Sequence, residues 1–206
     1  MEIYENEHDQ VDAIKRFFAE NGKALVVGVI LGVGALVGWR YWNNHQADSA
    51  RGASLAYENT VSAIRADAPQ TLTAAEKFAA DNKNTYGALA ALEVAQQFVD
   101  KNELEKAAAQ LSQGLTAASD ENLKAVINLR LARIQVQLKK ADDALKTLDT
   151  IKGEGFAAIV ADLRGEALLS KGDKEGARKA WQAGVESKAS PALSEMMQMK
   201  INNLSV

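Results

Sequence analysis

The chain has 206 residues, 27 acidic and 24 basic, with a net charge of −3 at pH 7 and no cysteine. That balance excludes a basic face built to hold nucleic acid. The absence of cysteine excludes disulfides, thiolate zinc sites, thiol catalysis and anchoring through a lipid-modified cysteine.

Residues 1–22 read as an acidic tail, with Glu2, Glu5, Glu7, Asp9, Asp12 and Glu20 against Lys15 and Arg16. Within it, Val11, Ile14, Phe17 and Phe18 give a short amphipathic helix, predicted to rest on the inner surface of a membrane. Its acidic residues keep attraction to anionic lipid weak.

The next segment, ALVVGVILGVGALVGW over residues 24–39, is an uncharged run of 16 bracketed by Lys23 and Arg40. Sixteen helical residues cover about 24 Å. Snorkelling by Lys23 and Arg40, with Tyr41 and Trp42 as interfacial aromatics, extends the segment to about 20 residues, enough to cross the hydrocarbon core. The prediction is one transmembrane helix over residues 23–43. A cleaved signal peptide would carry a basic start and small residues at its end; this run follows an acidic tail and ends in bulky Trp39, Tyr41 and Trp42. A buried core helix is the other alternative, but the Ala-rich amphipathic segments downstream need no such partner. Gly28 with Gly32, and Gly34 with Gly38, form two G-x-x-x-G spacings, the pattern of a face that docks against another membrane helix. Lys15, Arg16, Lys23 and the amino terminus outnumber Arg40 and Arg51 near the ends of the run, which favours the N-terminus inside.

Residues 44–206 carry 20 basic and 21 acidic side chains. A region of that size buries about 70% of its unfolded surface. The two prolines, Pro69 and Pro191, fall where a helical pattern breaks. Between them the sequence reads as helices joined at residues 81–84, 100–102, 119–122, 139–142, 153–155 and 171–173.

Three segments superimpose. Ala95, Phe98, Asn102, Ala107, Leu111 and Gly114 match Ala132, Gln135, Lys139, Ala144, Leu148 and Ile151, then Gly165, Leu168, Gly172, Ala177, Trp181 and Gly184. Small residues let paired helices approach closely, and a large residue fills the remaining gap. The third copy, LRGEALLSKGDKEGARKAWQAGV, resembles the tetratricopeptide repeat most closely. The predicted fold class is all-α: one N-terminal transmembrane helix followed by a tetratricopeptide-like helical repeat, an α-solenoid. Residues 46–67 and 71–82 read as a further helix pair and 190–203 as a closing helix.

Residues 122–138 carry a wide apolar arc. Leu123, Ile127, Leu131, Ile134 and Leu138 line one stripe, while Val126, Leu129, Arg133 and Val136 lie beside it. Packing on both sides by adjacent repeats explains such an arc. The functional alternative is a concave groove gripping extended polypeptide, which by register comprises Leu92, Gln96, Leu129, Arg133, Val136, Asp162 and Glu166.

No residue set for bond chemistry stands out. His8 and His45 fall on opposite sides of the predicted span, and no P-loop, dinucleotide fingerprint or nucleophile elbow occurs. Carboxylate pairs such as Asp142 with Asp143 read as helix starts or solvated faces. No catalytic, cofactor-binding or metal residue is assigned, and the chain is read as a non-enzyme.

The acidic tail MEIYENEHDQVDAIKRFFAENGK, the glycine-rich span, WRYW and the terminal PALSEMMQMKINNLS together resemble the YfgM family of ancillary SecYEG translocon subunits over essentially the whole length. The resemblance implies a bacterial inner-membrane protein with its N-terminus cytoplasmic and a periplasmic tetratricopeptide-like domain. It implies association with the SecYEG translocon and with a membrane-anchored periplasmic chaperone of the peptidyl-prolyl isomerase type, contact with nascent secretory proteins, and no catalytic residues. Two other readings remain open at this stage. One is a membrane-anchored signalling adaptor that regulates an envelope stress response; the other is a homodimeric scaffold joined through Gly32.

Overall fold

The computed structural model describes residues 7–65, 70–187 and 189–204; among them stand nine α-helices, one 3-10 turn and no strand. The helices are α1 (Glu7–Arg65), α2 (Thr71–Asp81), α3 (Thr85–Asp100), α4 (Leu104–Ala117), α5 (Glu121–Gln137), α6 (Ala141–Asp149), α7 (Ala157–Ser170), α8 (Lys174–Glu186) and α9 (Pro191–Asn203). Two compact units divide the chain, one ending at Gly52 and one beginning at Ala53. The acidic residues before Glu7 and the predicted break at Pro69 lie outside the described residues. The amphipathic stretch, the apolar run and the helix predicted over 46–67, as far as Arg65, belong to one continuous helix, which no proline interrupts.

In the first unit the apolar run is bare. Leu31 is 67% exposed and Leu36 70%, with Trp39, Tyr41 and Trp42 exposed beyond them. This stretch is long and apolar enough to cross a membrane, and none of its apolar window is buried among the described residues. A Cβ added at Gly28, Gly32, Gly34 or Gly38 would meet no neighbouring atom within 4 Å, so packing inside the chain does not explain these glycines. Tyr41 stacks on His45 with ring centroids 6.4 Å apart.

In the second unit, Tyr57, Val61 and Ile64 carry the end of α1 onto the repeats. Tyr57 and Phe78 pack around Ala79, Ala90 and Ala91, while Ile64 joins the main cluster. That cluster ties α3, α4 and α5 together through Leu92, Ala95, Phe98, Leu111, Ile127 and Leu131. A second cluster joins α5, α6 and α7 through Leu129, Ala132, Ala144, Leu148 and Leu163. The wide apolar arc of α5 therefore serves two neighbours, one on each side. A further cluster centres on Trp181 with Ala177 and Met197, against Leu168, Leu193 and Ile201 of α7 and α9.

The repeat register is physical. Ala107, Ala144 and Ala177 are each fully buried where the second helix of a pair meets the first. Gly165 lies directly beneath the Trp181 indole, and a Cβ there would collide with the ring. Gly184 likewise makes room for the Met197 thioether. The second pair departs from the pattern: α6 ends at Asp149, so Ile151 falls beyond it instead of inside a helix as Gly114 and Gly184 do. Thr150 stops α6 by donating its hydroxyl to the Thr147 carbonyl at 2.7 Å, and Gly153 then turns the chain with φ 109°.

The three corners within the pairs are equivalent although their sequences differ. Asn102, Lys139 and Gly172 all adopt left-handed backbone, with φ of 57°, 61° and 82°. At each, the next amide donates back across the corner: Glu103 to the Phe98 carbonyl at 2.7 Å, Lys140 to Gln135 at 2.8 Å, and Asp173 to Leu168 at 3.0 Å. This is the paired hydrogen-bond closure that glycine favours at a helix end. Lysine adopts that conformation at a cost of roughly 1–2 kcal/mol, partly offset because glycine orders a freer unfolded chain. Lys139→Gly should therefore stabilise the domain by about 1 kcal/mol and raise Tm by about 2–4 °C, while Gly172→Ala should lower it comparably. Thermal unfolding of the purified chain checks both signs; a lower Tm for Lys139→Gly would contradict the strain argument.

Candidate functional site

The α3 and α5 helices are the first helices of two successive pairs, and a cavity of about 350 Å³ opens between them. Leu92, Ala95, Leu111 and Ile134 form its apolar floor, and Val99 sits at its edge. Gln96, Asp100, Gln137, Arg130 and Arg133 make the polar rim. Arg130 and Arg133 are three residues apart on α5, so both project from one face. Both are exposed, and among the described residues neither makes an ion pair or side-chain hydrogen bond. A floor of aliphatic carbon beneath two free guanidinium groups suits a ligand with an apolar part next to a negative one.

The seven groove residues expected from register fall into three sets. Leu92, Gln96 and Arg133 meet in this cavity. Leu129 and Val136 turn toward α6 and α7, where Leu129 is buried and Val136 packs on the same cluster. Asp162 and Glu166 on α7 are engaged by Lys200 of α9, whose ammonium donates to Asp162 Oδ1 at 2.6 Å and to Glu166 Oε1 at 2.7 Å. Asp162 is only 4% exposed, and Lys200 also lies 5.7 Å from the Trp181 ring centroid. Burial pulls the Lys200 ammonium down, but hydrogen bonds and charge from Asp162 and Glu166 outweigh it, leaving its pKa above the usual lysine value. The third part of the expected groove is thus filled by the chain itself. Two residues that matter here escaped sequence reasoning. Arg130 carried a usable signal, its spacing from Arg133; Lys200 carried none, being 38 residues from Asp162.

Among the described residues no group of three or more His, Cys, Asp or Glu side chains is placed to hold a metal ion. His45 stacks on Tyr41, and the His8 side chain lies outside the described residues. On the surface, Asp142 is held below the usual carboxylate range, first by its hydrogen bond to Lys171 and then by that charge. The second residue of the Asp142–Asp143 pair joins the first turn of α6, so the pair starts a helix.

The tetratricopeptide repeat-like domain family matches residues 15–206. The chain is 81% identical over 206 residues to the ancillary SecYEG translocon subunit of Escherichia coli, covering 100% of both chains. The chain belongs to the ancillary SecYEG translocon subunit (YfgM) family. A relative of the same name in Haemophilus influenzae is 37% identical over 199 residues, 96% of this chain and 97% of the relative. One in Neisseria gonorrhoeae is 26% identical over 208 residues, 99% of this chain and 100% of the relative. No solved structure matches the chain. Because these alignments run through the apolar run and the helix pairs alike, the YfgM-family architecture of one membrane helix and a tetratricopeptide-like domain applies to the whole chain.

Proposed function

We propose that this chain is a non-enzymatic ancillary subunit of the Sec translocon that links emerging secretory proteins to periplasmic chaperones. In this reading residues 1–22 are cytoplasmic, 23–43 cross the inner membrane, and 44–206 lie in the periplasm. The observation that carries it is full-length identity of 81% to a protein named for its place in the translocon. The physical design agrees with it. The chain combines a bare apolar stem with a packed helical domain that has a concavity between α3 and α5 suited to a peptide. Tethering holds that domain at high effective concentration beside any partner in the same membrane, so weak contacts suffice. The two open glycine pairs, Gly28 with Gly32 and Gly34 with Gly38, are the candidates for docking on the translocon. The cavity between α3 and α5 is the candidate for nascent secretory chains or for a membrane-anchored chaperone of the peptidyl-prolyl isomerase type.

Photo-crosslinkers at Leu36 and Gln96 in intact cells test the two ends separately. Leu36 should yield adducts with translocon subunits, and Gln96 with secretory chains or a periplasmic chaperone. Gly32→Leu with Gly34→Leu should abolish co-purification with SecYEG while leaving membrane insertion intact. Adducts confined to a cytoplasmic regulator through residues 1–20 would replace this reading with the signalling adaptor.

A further inference from the structure

We infer that the cavity between α3 and α5 is selective: it takes an extended peptide segment in which an apolar side chain stands next to a carboxylate. The inference rests on the proposed role of this groove and adds the chemistry of what enters it. Arg130 and Arg133 supply the first argument. Two other arginines of this unit are paired with carboxylates, Arg164 with Asp149 at 2.6 Å and Arg178 with Glu175 at 3.8 Å. Yet the two guanidinium groups over this cavity have no such partner among the described residues. They sit one helical turn apart, so one carboxylate can receive donors from both.

The floor supplies the second argument. Leu92, Leu111 and Ile134 offer aliphatic carbon at the base of a space of about 350 Å³, within the range of sites that enclose a small ligand group. A purely anionic ligand would gain nothing from it, and a purely apolar one would leave the guanidinium groups unused. Gln96, Gln137 and Asp100 supply the third. A main chain offers N–H donors and C=O acceptors in alternation; the two amides can both give and accept, and Asp100 can accept an N–H. Asp100 also penalises a ligand whose negative charge sits at its end of the cavity, which fixes the direction of the peptide. A phospholipid headgroup would satisfy the arginines but not this mixed rim, so a peptide is favoured.

The test uses the full chain in phosphatidylcholine nanodiscs and a short fluorescein-labelled Gly/Ser peptide bearing a Leu-Asp pair, read by anisotropy. Twin peptides carry Leu-Asn or Gly-Asp. The Leu-Asp peptide should bind, each twin about tenfold more weakly, and added salt should weaken the Leu-Asp complex. Arg130→Gln with Arg133→Gln should remove the preference for Asp over Asn without shifting thermal unfolding, since both side chains are exposed and unpartnered. Equal binding of the Leu-Asn twin, or unchanged discrimination by the double variant, overturns the inference. So does a double variant whose only loss is binding to phosphatidylglycerol nanodiscs, which would assign the arginines to lipid. No translocon is present in this assay, so its failure beside persistent Leu36 crosslinks would remove the selectivity and leave the proposed function standing.

Discussion

Trp181→Ala should destabilise the repeat domain by about 4 kcal/mol, within the range for deleting a buried aromatic side chain. Trp181 is 1% exposed and fills the space above Gly165, which has no side chain to move into a void. Its Nε1 donates to the Asp162 carbonyl of α7 at 3.1 Å, so the substitution also removes a buried hydrogen bond. Met197 and Lys200 of α9 rest on the same ring, so α9 should loosen before the rest of the domain. Urea unfolding of the purified full chain in detergent, read by pulse proteolysis, should show the midpoint fall by about 2 M for a slope near 2 kcal/mol per M. Trp181→Phe should lose roughly half as much. A shift for Trp181→Ala no larger than that of an exposed substitution would show that the α7, α8 and α9 cluster is not packed around this ring.

The second large effect concerns the apolar run. Leu31→Arg with Leu36→Arg places two charges in the middle of the predicted span, at about 2.5–3.5 kcal/mol each on insertion scales. Both leucines are bare, so no packing within the chain is lost by the exchange. The double variant should leave the carbonate-resistant membrane pellet, whereas Leu31→Val with Leu36→Val should stay in it. Retention of the arginine variant in that pellet would mean that something other than this helix anchors the chain.

Much of the fold could be read directly from residue order. The register of Ala95, Ala132 and Gly165 with Ala107, Ala144 and Ala177 was visible because close helix approach leaves few choices of side chain. The helix bounds followed from polar joints, and Asn84, Asp120, Asp173 and Ser190 all act as N-caps where the sequence changes character. The left-handed corners at Asn102 and Lys139 were hidden, because neighbouring helices impose a conformation that those residue types only tolerate. The site was half visible. Helical spacing groups Leu92 with Gln96 and identifies Arg133, but it cannot tell which face of α5 is shared with α6 and α7. Spacing equally cannot foresee that Lys200 reaches back to Asp162 and Glu166, since that depends on how α9 is rotated when Met197 seats against Gly184.

That rotation of α9 carries one more consequence. A stack of helix pairs ends in an apolar surface that invites another copy to continue the row, and open-ended growth of that kind yields filaments. Here α9 turns Met197 inward and leaves Glu195, Gln198 and Asn202 exposed, with Met199 the one exposed large apolar side chain of α9 among the described residues. The outer side of α9 thus offers little apolar surface on which a further helix pair could stack, and Gln198 donates there to Asn202 Oδ1 at 3.2 Å.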